Sequence, residues 1–128
     1  MIKIIEDSDK QRIIDRVKTF EDACIIAGKT PSEVIGWCKN ESAKAFEKLK
    51  LIISVLNEGW TPNYSDLNEY KYCPYFSCAS GFGFSGSYML FVPKHTSVGS
   101  LLCFKSRELS DYAGRTFLKE YEDYKQTY

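Results

Sequence analysis

The chain has a single histidine, His95. Any Ser–His or Cys–His nucleophile pair must therefore use a residue that stands beside Lys94 in a stretch of turn character, and triads are made by geometry rather than by the presence of the residue types. There is no Gly-x-Ser-x-Gly elbow, no phosphate-binding glycine loop and no His-Glu-x-x-His. The carboxylate pairs Glu21/Asp22 and Glu122/Asp123 fall on helical stretches, where they face water. These absences point to a non-enzymatic protein with no cofactor.

An excess of positive charge is also missing. The chain carries 17 basic and 17 acidic residues, and the balance holds locally, with 11 against 12 in residues 1–71 and 6 against 5 in 94–128. Proteins that hold long nucleic acid by its phosphates carry a basic excess, so that partner is excluded, while a local pocket for a small anion is not. The longest uncharged stretch is the 22 residues 72–93, and it contains Pro74, Gly81, Gly83 and Gly86. Such a stretch does not make a membrane helix. The first residues lack the apolar core of a signal peptide, so the expected location is the cytoplasm, with the five cysteines reduced.

What is present is aromatic. Nine Tyr, eight Phe and two Trp make 15% of 128 residues, within an ordinary globular composition of 44% apolar and 27% charged residues. That length suits one domain over residues 1–128, with 1–18 as a loosely attached N-terminal segment. The first half reads as helices: a short one ending near Arg16, then 20–27 capped by Thr19 and closed at Gly28. Thr30-Pro31-Ser32-Glu33 is a capping box with proline at the first helical position and opens a helix over about 31–39. The longest helix, about 41–58, repeats Ala45, Phe46, Leu49, Ile52, Ile53 and Leu56 every three to four residues and stops at Gly59.

The second half changes period. Strands are expected over 70–77, 82–92 and 99–104, followed by a helix over about 107–124 with Ser106 as its cap and Leu109, Tyr112, Ala113, Phe117, Tyr121 and Tyr124 on its buried stripe. Pro74 limits the first strand to an edge or a bulge. The uncharged run 88–92 is an aggregation hazard on an edge, which argues for the central position. The order gives an α+β fold: several N-terminal helices, a three-stranded antiparallel meander over about 70–104 and a C-terminal helix packed on one sheet face.

Ten of the 19 aromatics lie between Trp60 and Phe91. On alternating strands they divide between two faces. One makes the core, and the other offers Tyr, Phe, Gly and Ser to a partner, to a second copy in a homo-oligomer, or to stacked ligand rings. The candidate surface comprises Tyr70, Lys71, Tyr72, Tyr75, Phe76, Phe82 and Phe84, with Lys105 and Arg107 at the strand ends as anion-binding cations. Cys73, Cys78, His95 and Cys103 are weak zinc candidates. Four soft or borderline ligands suffice for a closed site, but the five-residue offset between Cys73 and Cys78 points the two thiols to opposite faces of a regular strand. Gly81-Phe82-Gly83-Phe84 matches the middle of an RNA-recognition strand motif, without the basic residue before it or the apolar and aromatic positions after it.

Several segments together carry a resemblance: Leu56-Asn57-Glu58-Gly59-Trp60, Tyr70-Lys71-Tyr72-Cys73-Pro74-Tyr75-Phe76, Gly81-Phe82-Gly83-Phe84-Ser85, the run from Ser97 to Leu109, and Tyr112-Ala113-Gly114. Over about residues 20–124 the chain resembles a group of small proteins of phages and prophages of gut Bacteroidales, a group with no assigned activity and no catalytic residues to carry over. The resemblance implies a phage-type product acting inside a bacterium. The resulting expectation is a binding protein, a counter-defence factor that captures a host protein or a small nucleotide signal through the aromatic sheet surface. Two further readings stay open: a minor virion or assembly structural protein, and a small zinc-binding protein.

Overall fold

The computed structural model describes residues 12–63, 66, 69–78, 81–90 and 102–125. Its elements are α1 (Ile13–Arg16), α2 (Phe20–Ala27), α3 (Pro31–Ile35), α4 (Glu41–Leu56), β1 (Lys71–Ser77), β2 (Gly83–Leu90), α5 (Arg107–Thr116) and α6 (Leu118–Lys125). The fold is α+β, with helices and a two-stranded antiparallel sheet. Among the described residues no helix is long and apolar enough to cross a membrane.

Local chemistry sets most helix ends. The Thr19 hydroxyl accepts from the Asp22 amide at 3.1 Å while the Asp22 carboxylate accepts from the Thr19 amide at 3.2 Å. Thr30 and Glu33 repeat this reciprocal box at 3.2 and 3.0 Å, and Asn40 and Ser106 cap α4 and α5. Each cap of this kind stabilises its helix by about 1 kcal/mol. At the end of α2, Gly28 adopts φ 70° and its amide reaches Ile25 O while that of Lys29 reaches Cys24 O, the paired bonds of a Schellman motif.

One core joins the two halves of the chain. Val17, Phe20, Ala23 and Cys24 meet Leu49, Ile52, Ile53 and Leu56 of α4, and the same cluster takes in Leu102, Phe104, Leu109, Ala113, Phe117 and Tyr121. Helix α4 packs on α2, α3 and α6, and α5 lies on one face of the hairpin. Residues 1–11 of the segment expected to be loosely attached lie outside the described residues. Within 12–18, Val17 is fully buried, the Tyr112 hydroxyl donates to Val17 O, and Arg12 pairs with Glu108 at 2.9 Å.

The sheet departs from the expected meander. Two strands are present among the described residues, and the 102–104 segment adds one bridge, in which Tyr72 and Phe104 exchange amide-to-carbonyl bonds of 3.0 and 2.8 Å. The bridge places β1, and not β2, in the middle. Pro74 explains why pairing stops there. Successive backbone groups alternate sides, so its nitrogen points the same way as the Tyr72 amide, toward the 102–104 segment, and has no proton to give. The expectation that Pro74 makes its strand an edge or bulges it is not met: β1 lies in the middle, and the register shift at Tyr75/Phe76 leaves the extra residue, Ser85, on β2. The strand position expected for 88–92 also changes. Tyr88 and Met89 lie on the outer strand and are exposed, while Phe91 and Val92, like 99–101, lie outside the described residues.

The final helix is bent. Phe117 takes φ −108° and ψ 32° between α5 and α6, although amide bonds continue through it, from Phe117 to Ala113 O at 2.9 Å and from Tyr121 to Phe117 O at 3.1 Å. Asn57, at the end of α4, is buried and reaches across to the bridging segment: its amide nitrogen donates to Cys103 O at 3.0 Å and its oxygen accepts from the Lys105 amide at 3.1 Å.

Candidate functional site

Alternation along β1 and β2 sorts the proposed surface into two unlike faces. Tyr72, Pro74 and Phe76, with Phe84 and Ser87 opposite, lie toward α5 and α6. The Phe76 ring stacks on Phe82 at 4.8 Å, meets Tyr121 at 4.8 Å and takes Phe84 edge-on at 6.2 Å. Gly114 makes this docking feasible, because a Cβ there would stand 2.3 Å from the Phe84 ring and 3.1 Å from Pro74 Cβ.

Polar groups secure the same face. Ser87 Oγ donates to Asp111 Oδ1 at 2.6 Å; its one proton being spent, the buried Ser110 hydroxyl, also at 2.6 Å, is the donor to Ser87. Arg107 donates to Ser87 O at 2.8 Å and lies over the Tyr72 ring at 5.3 Å, and Arg115 lies over Phe84 at 5.1 Å. Both arginines line a groove of about 490 Å³ along α5, with Glu108 and Asp111 balancing their charge.

The opposite face carries Lys71, Cys73 and Tyr75, paired with Leu90, Tyr88 and Gly86. Lys71 has no exposed surface, and its ammonium sits 3.1 Å from Glu69 Oε1, which also accepts from the Asn63 amide at 2.7 Å. Cys73 Sγ lies 3.0 Å from Cys103 Sγ. The hydrogen bond between the two sulfurs, then the charge of Lys71, hold the Cys103 thiol below its ordinary pKa, while the same bond and burial push Cys73 up. Burial, then the nearby Cys73 and Cys103 charges, raise the Tyr88 phenol. The Tyr121 hydroxyl is deeply buried and without a hydrogen-bond partner among the described residues; burial, then the nearby cysteines, raise its pKa.

Beyond that buried row the far face is open. Tyr75 and Tyr88 are 47% and 46% exposed there, with rings 6.3 Å apart; Met89, 38% exposed, pairs with Tyr72 on the helix-facing side, and Tyr70, 51% exposed, precedes the strand. The Tyr75 ring lies over Gly86, whose φ of 150° and missing side chain leave room for it. Of the nine proposed surface residues, then, Tyr70 and Tyr75 are accessible aromatics, Tyr72, Phe76, Phe82 and Phe84 are half-buried against the core, and Lys71 is enclosed. Lys105 pairs with Glu58 at 3.5 Å, and Arg107 is occupied on the helix-facing side.

Of the zinc candidates, the structure brings Cys73 and Cys103 together. Cys78 is exposed past the end of β1, and His95 lies outside the described residues. Among the described residues no group of three His, Cys, Asp or Glu is placed to hold a metal ion.

A second exposed apolar feature was not anticipated. Ile25 and Trp37 are 76% and 64% exposed, and Trp37 lines a groove of about 370 Å³ with Lys29, Glu33, Val34, Glu47 and Lys50. Its sequence signal is the apolar pair Ile25-Ile26 on a helix whose buried stripe is already filled by Phe20, Ala23 and Cys24. Comparisons with protein-family models, with curated proteins and with solved structures give no match.

Proposed function

We propose that the chain is a non-enzymatic binding protein that engages a protein partner through the far face of its hairpin. The observation that carries this reading is the exposed pair Tyr75 and Tyr88 on that face, held on a backbone whose other face is locked to α5. Tyrosine offers a large apolar area with a hydroxyl at its tip and little side-chain entropy to lose, which suits protein interfaces. A nucleotide is the weaker occupant. Its phosphates need cations, and Lys71, Lys105 and Arg107 each already hold an oxygen of this chain. In the phage-type setting that the sequence resemblance implies, the partner is a host protein and the role is counter-defence.

The test is the solution mass of the purified chain, alone and after incubation in extract of the bacterium that makes it. A stable complex should form with the wild type and with Ile25→Ser, and be lost in Tyr75→Ser/Tyr88→Ser. Retention by the double variant sinks the proposed surface. A dimer of the isolated chain abolished by the same substitutions assigns the face to a second copy. Recovery of the chain in purified virus particles favours the structural alternative, and a rise in melting temperature with any mono-, di- or cyclic nucleotide reinstates the small ligand.

A further inference from the structure

Tyr72 and Phe104 exchange both of their backbone hydrogen bonds, so the adjoining antiparallel pair is Cys73 opposite Cys103. Residues in such a non-hydrogen-bonded position have Cα atoms about 4.5 Å apart and side chains on one face, within the span of roughly 4.4–6.8 Å that a disulfide bridges. The two sulfurs are 3.0 Å apart, and neither cysteine is in a disulfide.

We propose that Cys73 and Cys103 form a thiol–disulfide exchange site for a low-molecular-mass disulfide of the glutathione type, yielding a cross-strand disulfide that ties the 102–104 segment to β1. Cys103 is the attacking sulfur. Its sulfur lies 3.0 Å from that of Cys73, and this hydrogen bond together with the positive charge of Lys71 favours its thiolate. Its thiolate displaces one half of the small disulfide, giving a mixed disulfide and one small thiolate. Cys73 then loses its proton and attacks the Cys103 sulfur, releasing the second small thiolate. Two protein thiols are oxidised, one small disulfide is reduced to two thiols, and the two protein protons end on those products.

Cys78 supplies an internal contrast. It is exposed and reacts first, yet it has no neighbouring sulfur in contact among the described residues and stops at the mixed disulfide. Cys103 is 1% and Cys73 6% exposed, so their exchange is slower, but the second step is intramolecular and draws the reaction to completion.

The experiment incubates the full-length chain with glutathione disulfide for a day under native conditions, alkylates the remaining thiols and maps every cysteine by peptide mass spectrometry. Cys73 and Cys103 should appear linked, with a loss of about 2 Da. Closing this loop should raise the melting temperature by roughly ten degrees, reversibly with dithiothreitol. Lys71→Met should slow linkage about fivefold, and Cys73→Ala should trap glutathione on Cys103. The proposal is overturned if both cysteines remain alkylatable while Cys78 is fully converted. It is equally overturned if wild-type Cys103 keeps a stable mixed disulfide beside a Cys73 thiol.

Discussion

Tyr75 and Phe76 are neighbours in the chain, and strand alternation sends them to opposite faces. Phe76 faces the helices, where three rings surround it, and Tyr75 faces outward with nearly half its surface in water. The same division runs along the hairpin. The helix-facing side uses rings and hydroxyls to fix the strands to α5, whereas the far side gathers a buried lysine, two thiols and a fringe of exposed tyrosines. One face is therefore fixed by the helices, and the other leaves two tyrosines in water.

Substitutions should separate the faces by energy. Phe76→Ala removes a ring from the middle of the helix-facing cluster and should cost about 3 kcal/mol in denaturant unfolding. An effect as small as that of an exposed residue would show that the cluster does not hold the hairpin. Gly114→Ala comes next, with a loss of about 2 kcal/mol from overpacking against Phe84 and Pro74, although alanine is the better helix former by about 1 kcal/mol. Pairing it with Phe84→Ala should recover part of the loss, and a double-mutant cycle with no coupling would break the link between hairpin and helix. Asn57→Ala should cost about 1.5 kcal/mol by leaving Cys103 O and the Lys105 amide without their partner. Tyr75→Ser should change stability least, by under about 0.5 kcal/mol, while weakening partner capture. A large destabilisation there would mean that the far face is structural after all.

Features that depend on neighbours in sequence were legible in advance. The Thr19 cap, the box at Thr30, the Gly28 stop and the Ser106 cap are each settled within four residues, as are the spacing of the α4 stripe and the α+β class, whereas the reciprocal bond to Asp22 that makes Thr19 a box went unread. The bend at Phe117 was not legible, because Ala113, Phe117, Tyr121 and Tyr124 keep one helical spacing straight through it. Nor was the enclosure of Lys71, whose neighbour Tyr70 is exposed and whose counter-ion is set by the fold of the preceding turn. The candidate surface was legible as a region but not as a face. Strand alternation predicts that the aromatics divide, and only the packing of α5 decides which half is covered. Strand order failed for a related reason: the consequence of Pro74 depends on which side its nitrogen faces, and that is fixed by the distant Phe104.

Asn57 has a consequence of another kind. Donating to one residue of the 103–105 segment and accepting from the residue two further on is what a peptide group of an adjoining strand would do. A single side-chain amide thus occupies two backbone groups in the manner of an adjoining strand. Open backbone groups of this kind are where strands pair edge to edge, and the amide removes two of them.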